Sequence, residues 1–258
     1  MDWSLPLCGF VVGALVGVTG MGGGSVMTAL LILVFGVPTL TAVGTDLLYA
    51  AVTKATGARV HAGKGNVVWP IVGQLAIGSI PATVLTIWLL SQSPAQSPVL
   101  ARSITLALGA ALLIAAFGLL FRERLQRFAI EPVDTQHPAS HRPVLTVALG
   151  LLLGVLVSLT SVGAGALGIV MLRYLRPDIP SVRLVGSDIA HAVPLTLLAG
   201  TGHWMLGDIN WHLLGSLLLG SIPGIALASH FAHHLPERIL QPILGLMLLA
   251  IGLKLIWT

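Results

Sequence analysis

The chain has 258 residues, of which 55% are hydrophobic and only 9% charged, with a formal net charge of +4 and a mean hydropathy of +0.96. That balance excludes a soluble globular domain. The 13 Lys and Arg residues lie mostly in short connections between apolar runs, not in one patch, which excludes nucleic acid as a partner and makes charge a marker of membrane orientation.

The N-terminus, "MDWSLPL", lacks the basic region of a secretory leader, so the first apolar run is expected to remain in the mature protein. Cys8 is the single cysteine, which leaves no intrachain disulfide or multi-cysteine metal site. From there the first half reads as five segments, at about 3–19, 25–36, 39–61, 67–90 and 99–121. The first two are short and separated by "TGMGGGSVM" (Thr19 to Met27), whose three consecutive glycines interrupt an apolar stretch. The last three are long enough to span. "VVWPIVGQLAIGSIPATVLTIWLL" (Val67 to Leu90), for instance, has no charge over the ~20 residues needed to cross a hydrocarbon core of roughly 30 Å. The runs do not alternate as barrel strands do, so they are helices. A basic linker follows, and the second half repeats the pattern at about 144–160, 166–176, 181–202, 210–232 and 237–257.

The two halves are copies. "PTLTAVGTDLLYAA" from Pro38 matches "PSVRLVGSDIAHAV" from Pro180, pairing Asp46 with Asp188 at a separation of 142 residues. The same register pairs His61 with His203, Trp69 with Trp211, and "GSIP" at Gly78 with "GSIP" at Gly220. One residue out of that register, "GALVGVTGMGGGS" from Gly13 matches "GVLVSLTSVGAGA" from Gly154, so the glycine break is repeated too. The fold class is therefore an all-α polytopic membrane protein made of two repeats: residues 1–121, a cytoplasmic linker 122–143, and residues 144–258.

Charge orients the repeats. The first half is basic between its third and fourth segments, at Arg59 and Lys64; the second is basic one connection earlier, at Arg173, Arg176 and Arg183. With the linker arginines inside and the uncharged "SQSPAQSP" (Ser91 to Pro98) outside, all loops agree if the repeats are inverted and both termini lie outside the cytoplasm. Length alone leaves open whether each broken hairpin spans or is re-entrant.

Non-helical backbone at membrane depth needs a protein-lined or watery surrounding, so the breaks point to a site. Gly22, Gly23 and Gly24, with Thr19 and Ser25, can turn backbone amides toward one place while the next helix directs its positive end there. Gly163 and Gly165, with Thr160 and Ser161, supply the second half of such an anion site. Close helix packing is the alternative use of these glycines. Asp46 and Asp188, with Lys54 and with His191 three residues after Asp188, are candidate coupling or gating groups, and Thr45 and Ser187 beside the aspartates are candidate substrate contacts. An ion pair bracing the helices is the alternative there. His61 and His203 read as interfacial polar residues, and Trp69 and Trp211 as an aromatic belt.

The break "VGVTGMGGGSVMTALLILVFGVPTLTAVGTDLL", the "GNVVW" after the basic turn, and the diverged second copy ending "GSIPGIALASHFAHHLPERILQPILGLMLLAIGLKLI" make the whole chain resemble the sulfite exporter TauE/SafE family. The resemblance implies an inner-membrane transporter of small anions, sulfite or organosulfur compounds such as sulfonates, with no cofactor. The family often has Ser where Asp46 and Asp188 stand, and Asp where Val68 and Asn210 stand, which marks this chain as a variant. Two other functions fit parts of the sequence. "HFAHHLPER", with His230, His233 and His234, suits a divalent-metal transporter, and Ser25 with His61 or His203 suits an intramembrane hydrolase. The expected partners are the anion and the bilayer, and glycines such as Gly109, Gly118, Gly245 and Gly252 permit a homodimer.

Overall fold

The computed structural model describes residues 3–19, 24–92, 98–121, 142–163, 165–231 and 237–257. They form ten helices and no strand: α1 (Ser4–Thr19), α2 (Gly24–Leu33), α3 (Thr39–Gly63), α4 (Trp69–Ser91), α5 (Pro98–Leu120), α6 (Arg142–Thr160), α7 (Ala166–Leu175), α8 (Ser181–Met205), α9 (Trp211–Phe231) and α10 (Glu237–Trp257). Five of these, α4, α5, α6, α8 and α9, are long and apolar enough to cross a membrane. At 1.5 Å per residue the ten-residue helices α2 and α7 reach only about 15 Å, half a hydrocarbon core. Prolines start helices where a missing N–H costs nothing, at Pro38 and Pro180 just before α3 and α8, whereas Pro81 and Pro223 sit at matching places inside α4 and α9 without ending them.

Without a hydrophobic drive between helices in lipid, close approach at small residues decides which helices pair. α1 lies parallel to α9, joined through Gly9 on Leu217, Gly13 on Ser221 and Gly224 on Phe10. A Cβ at Gly13 would come within 2.6 Å of the Ser221 Cα. The same parallel contact recurs between α6 and α4, where a Cβ at Gly154 would meet the Ala82 Cβ at 2.8 Å. Both pairs join one repeat to the other, so neither repeat packs as a separate unit. α3 and α8 run antiparallel through the centre, with Gly44 against His203, Leu48 against Gly200, Gly57 against Ile189, and His61 against Gly186. α5 and α10 are also antiparallel: Gly109 meets Gly252 and Ile256, and Gly245 meets Leu120, so these glycines are filled by packing within the chain.

The core follows the same division. One apolar cluster surrounds α2 with residues of α1, α5, α9 and α10, including Met27, Leu31, Leu108, Leu112 and Leu217. Another joins α4, α6, α7 and α8 through Leu75, Leu153, Leu172 and Leu184. Matched positions of α4 and α9 face outward, Ile77 with Leu219, Ile80 with Ile222 and Leu85 with Leu227, as a lipid-facing surface requires.

Candidate functional site

The second break is the better described. α6 ends at Thr160, and the chain then passes through the left-handed region at Ser161 (φ 59°), Gly163 (φ 133°) and Gly165 (φ 121°) before α7 begins. A serine held at positive φ costs on the order of 1–3 kcal/mol, so the surrounding structure enforces it. Thr160 holds the turn: its hydroxyl donates to the Leu156 carbonyl at 2.6 Å and accepts the Val162 N–H at 3.1 Å. The Gly163 and Gly165 carbonyls then accept from Gly168 and Ile169, which fastens the break to α7. In the first break, Gly22 and Gly23 lie outside the described residues, as do the side chains of Thr19 and Ser25; Gly24 opens α2.

Around these breaks the fold gathers buried charge. Asp46 of α3 and Asp188 of α8 are both fully buried, and Lys54 is 5% exposed. Asp46 accepts a hydrogen bond from the Thr28 hydroxyl of α2 and lies beside Ser161, which brings the second repeat's break against the first repeat's carboxylate. Asp188 lies over Gly168, where any side chain would collide with its carboxylate, and close to the Gly165 amide. Asp46 Oδ1, both Asp188 oxygens and Ser161 Oγ are buried without a hydrogen bond of ordinary geometry. In the antiparallel register of α3 on α8, with Gly44 on His203 and Gly57 on Ile189, the two carboxylates lie toward opposite ends of this helix pair. Lys54 stands at an intermediate level, within electrostatic reach of both.

A second layer is matched across the repeats. His191 Nε2 is 2.8 Å from Ser79 Oγ of α4, and its repeat partner Tyr49 faces Ser221 of α9; all four are buried. Pairs of turns are matched as well. The Thr45 hydroxyl accepts the Asn210 N–H at 3.2 Å and the Ser187 hydroxyl accepts the Val68 N–H at 2.8 Å, so each half satisfies an amide at the start of a helix in the other. His203, expected at an interface, is fully buried instead: its Nδ1 is 3.1 Å from Asp208 Oδ2 and its Nε2 is 2.9 Å from the Ser158 carbonyl. A carbonyl only accepts, so Nε2 carries a proton, and the ring ties the α8–α9 turn to α6. His61, its partner by sequence, is half-buried against Gly186. Trp69 and Trp211 are exposed at the starts of α4 and α9, and Trp211 packs edge-on to Trp204 at 5.6 Å.

Among the described residues no three His, Cys, Asp or Glu side chains converge as metal ligands do. His233 and His234 lie outside those residues, and so does the His230 side chain. Sequence reasoning missed Thr28, Ser79, Tyr49 and Ser221. The signal was present, since the 142-residue register pairs Tyr49 with His191 and places Ser79 and Ser221 inside the two "GSIP" copies.

Residues 5–255 match the family model described as sulfite exporter TauE/SafE. The chain is 39% identical over 99% of its length to "Probable membrane transporter protein YjnA" of Bacillus subtilis, covering 100% of that protein. It is 28% identical over 96% of its length to "Probable membrane transporter protein YdhB" of the same organism, covering 97% of it. It is also 27% identical, over 96% of its length, to a "Probable membrane transporter protein" of Xylella fastidiosa, covering 92% of that one. No solved structure matches the chain.

Proposed function

Because the chain belongs to the sulfite exporter TauE/SafE family, we propose that it carries a small sulfur oxyanion, sulfite or a sulfonate, outward across the cell inner membrane by alternating access. The observation that carries this reading is Lys54, a cation buried at the level of the breaks with a carboxylate on either side of it. A buried ammonium attracts an oxyanion passing between the two sides, as intramembrane ionisable groups on a substrate path do. Amides of the two breaks, at Gly22 to Ser25 and Gly163 to Ala166, complete the oxyanion's shell, with Thr19, Thr160 and Ser161 beside them. Thr45 and Ser187 frame the site by holding the turns of the opposite half.

Asp46 and Asp188 serve as the gates. Both ionised, they outweigh Lys54 by one negative charge and repel an oncoming anion. A proton on the carboxylate being passed removes that barrier; one proton moving with the sulfite dianion leaves one net negative charge crossing. His191, hydrogen-bonded to Ser79, positions the inner gate. Alternating access follows from two inverted repeats, 1–121 and 144–258, joined by a cytoplasmic linker at 122–143 with both chain ends outside. The antiparallel packing of α3 on α8 and of α5 on α10 supports that topology. An inside-negative potential of 100 mV favours expulsion of one negative charge by about 2.3 kcal/mol. None of these roles is chemical catalysis, and the proposed function is transport alone.

Proteoliposomes loaded with radiolabelled sulfite test the proposal. Efflux above that of empty liposomes, quickened by an inside-negative potential and slowed by methanesulfonate, is the expected result. Divalent-cation flux lost on replacing His230, His233 and His234, without any sulfite or sulfonate flux, would replace this reading with the metal transporter. Hydrolysis lost in Ser25→Ala would replace it with the hydrolase.

A further inference from the structure

A cavity of about 430 Å3 lies away from the buried charges, at the seam where the end of α2 and the starts of α3 and α5 meet the end of α10. Ile32, Leu106 and Leu255 form its apolar wall, and Arg102 and Lys254, both exposed, form its polar rim. Among the described residues, none that line it is acidic. Thr39 and Thr105, whose hydroxyls are 3.0 Å apart, join α3 to α5 across its floor.

The placement of the two cations is unusual for this chain. Arg59, Lys64, Arg173, Arg176 and Arg183 occupy the opposite end of the bundle, where the α3–α4 turn packs beside the start of α8. Among the described residues Arg102 and Lys254 are the Arg and Lys side chains of this end, they come from different repeats, and they converge on one cavity. Trp257, three residues beyond Lys254 and 87% exposed, is a residue type enriched at the membrane–water interface.

We infer that this cavity is a binding site for an anionic phospholipid, the phosphodiester seated between Arg102 and Lys254 and an acyl chain lying along Leu106 and Leu255. Charge complementarity selects the headgroup, and the adjoining apolar wall selects a lipid over a free anion. The volume is far larger than a bare ion needs and falls within the range of sites for organic ligands. One lipid seated there bridges the two repeats. The inference does not depend on which anion is carried.

Native mass spectrometry of the protein released from nanodiscs tests it, with phosphatidylglycerol and phosphatidylcholine present equally and bearing identical chains. The wild type is expected to retain phosphatidylglycerol at least tenfold over phosphatidylcholine. The double substitution Arg102→Gln with Lys254→Gln should bring the two to parity, while Arg102→Lys with Lys254→Arg keeps the preference. Leu106→Trp, which fills the groove and leaves both charges, should also lose it, and this variant serves if the double one does not fold. Equal retention of the two lipids by the wild type, or an undiminished preference in Leu106→Trp and the Gln variant, would overturn the inference. So would inorganic phosphate raising the melting temperature of lipid-free protein as much as phosphatidylglycerol does, because the site would then be one for a small anion.

Discussion

At the scale of single residues, Asp46 and Asp188 differ in what holds them. Asp46 has the Thr28 hydroxyl, whereas Asp188 rests on a glycine and has no hydrogen bond of ordinary geometry. Gly168→Leu would drive a side chain into the Asp188 carboxylate, so sulfite flux should fall at least tenfold in proteoliposomes while the protein still purifies as a monodisperse species. If the carboxylates carry protons with the anion, Asp46→Asn and Asp188→Asn should each leave flux that no longer responds to an imposed pH gradient; an unchanged response in both would remove the coupling role. His203 belongs to a different category, since its two nitrogens are engaged by Asp208 and Ser158. His203→Ala leaves a buried carbonyl unpaired and should cost about 1–3 kcal/mol, read as a lowered melting temperature in detergent. The aspartates were legible in the sequence because a carboxylate inside an apolar run is conspicuous. The burial of His203 was not, because its partners lie 5 and 45 residues away on a turn and another helix.

The helices themselves follow closely from sequence pattern. The ends of α3, α8 and α10 fall within a few residues of where the apolar runs and prolines place them, and the glycine-containing break separates α6 from α7 as expected. Pairing was not legible, because it depends on which glycines face a neighbour. Gly9, Gly13, Gly150 and Gly154 all meet backbone of a helix in the other repeat, while Gly73 and Gly215, also matched across the repeats, meet nothing. That contrast gives a paired test. Gly13→Leu and Gly154→Leu should abolish monodisperse expression by forcing parallel helices apart, whereas Gly73→Leu and Gly215→Leu should leave the melting temperature nearly unchanged. Size-exclusion profiles of the four variants read the difference.

For the whole molecule, the main helix contacts are matched across the repeats: a contact between α1 and α9 is answered by one between α6 and α4, and a contact between α4 and α8 by one between α9 and α3. Such exchange lets one set of contacts tighten while its counterpart loosens, which is what alternating access asks of two repeats. Lys54 breaks this symmetry. Its repeat partner is Thr196, so the centre holds one ammonium where the backbone plan offers two places. A single cation suits a single anion bound at the level of the breaks, reachable from either face in turn. The most direct measurement is the current evoked by a sulfite concentration jump on reconstituted protein adsorbed to a supported membrane, comparing wild type, Lys54→Met and Lys64→Met. A current in the wild type and in Lys64→Met that is lost in Lys54→Met is the expected result. An undiminished current in Lys54→Met would contradict it.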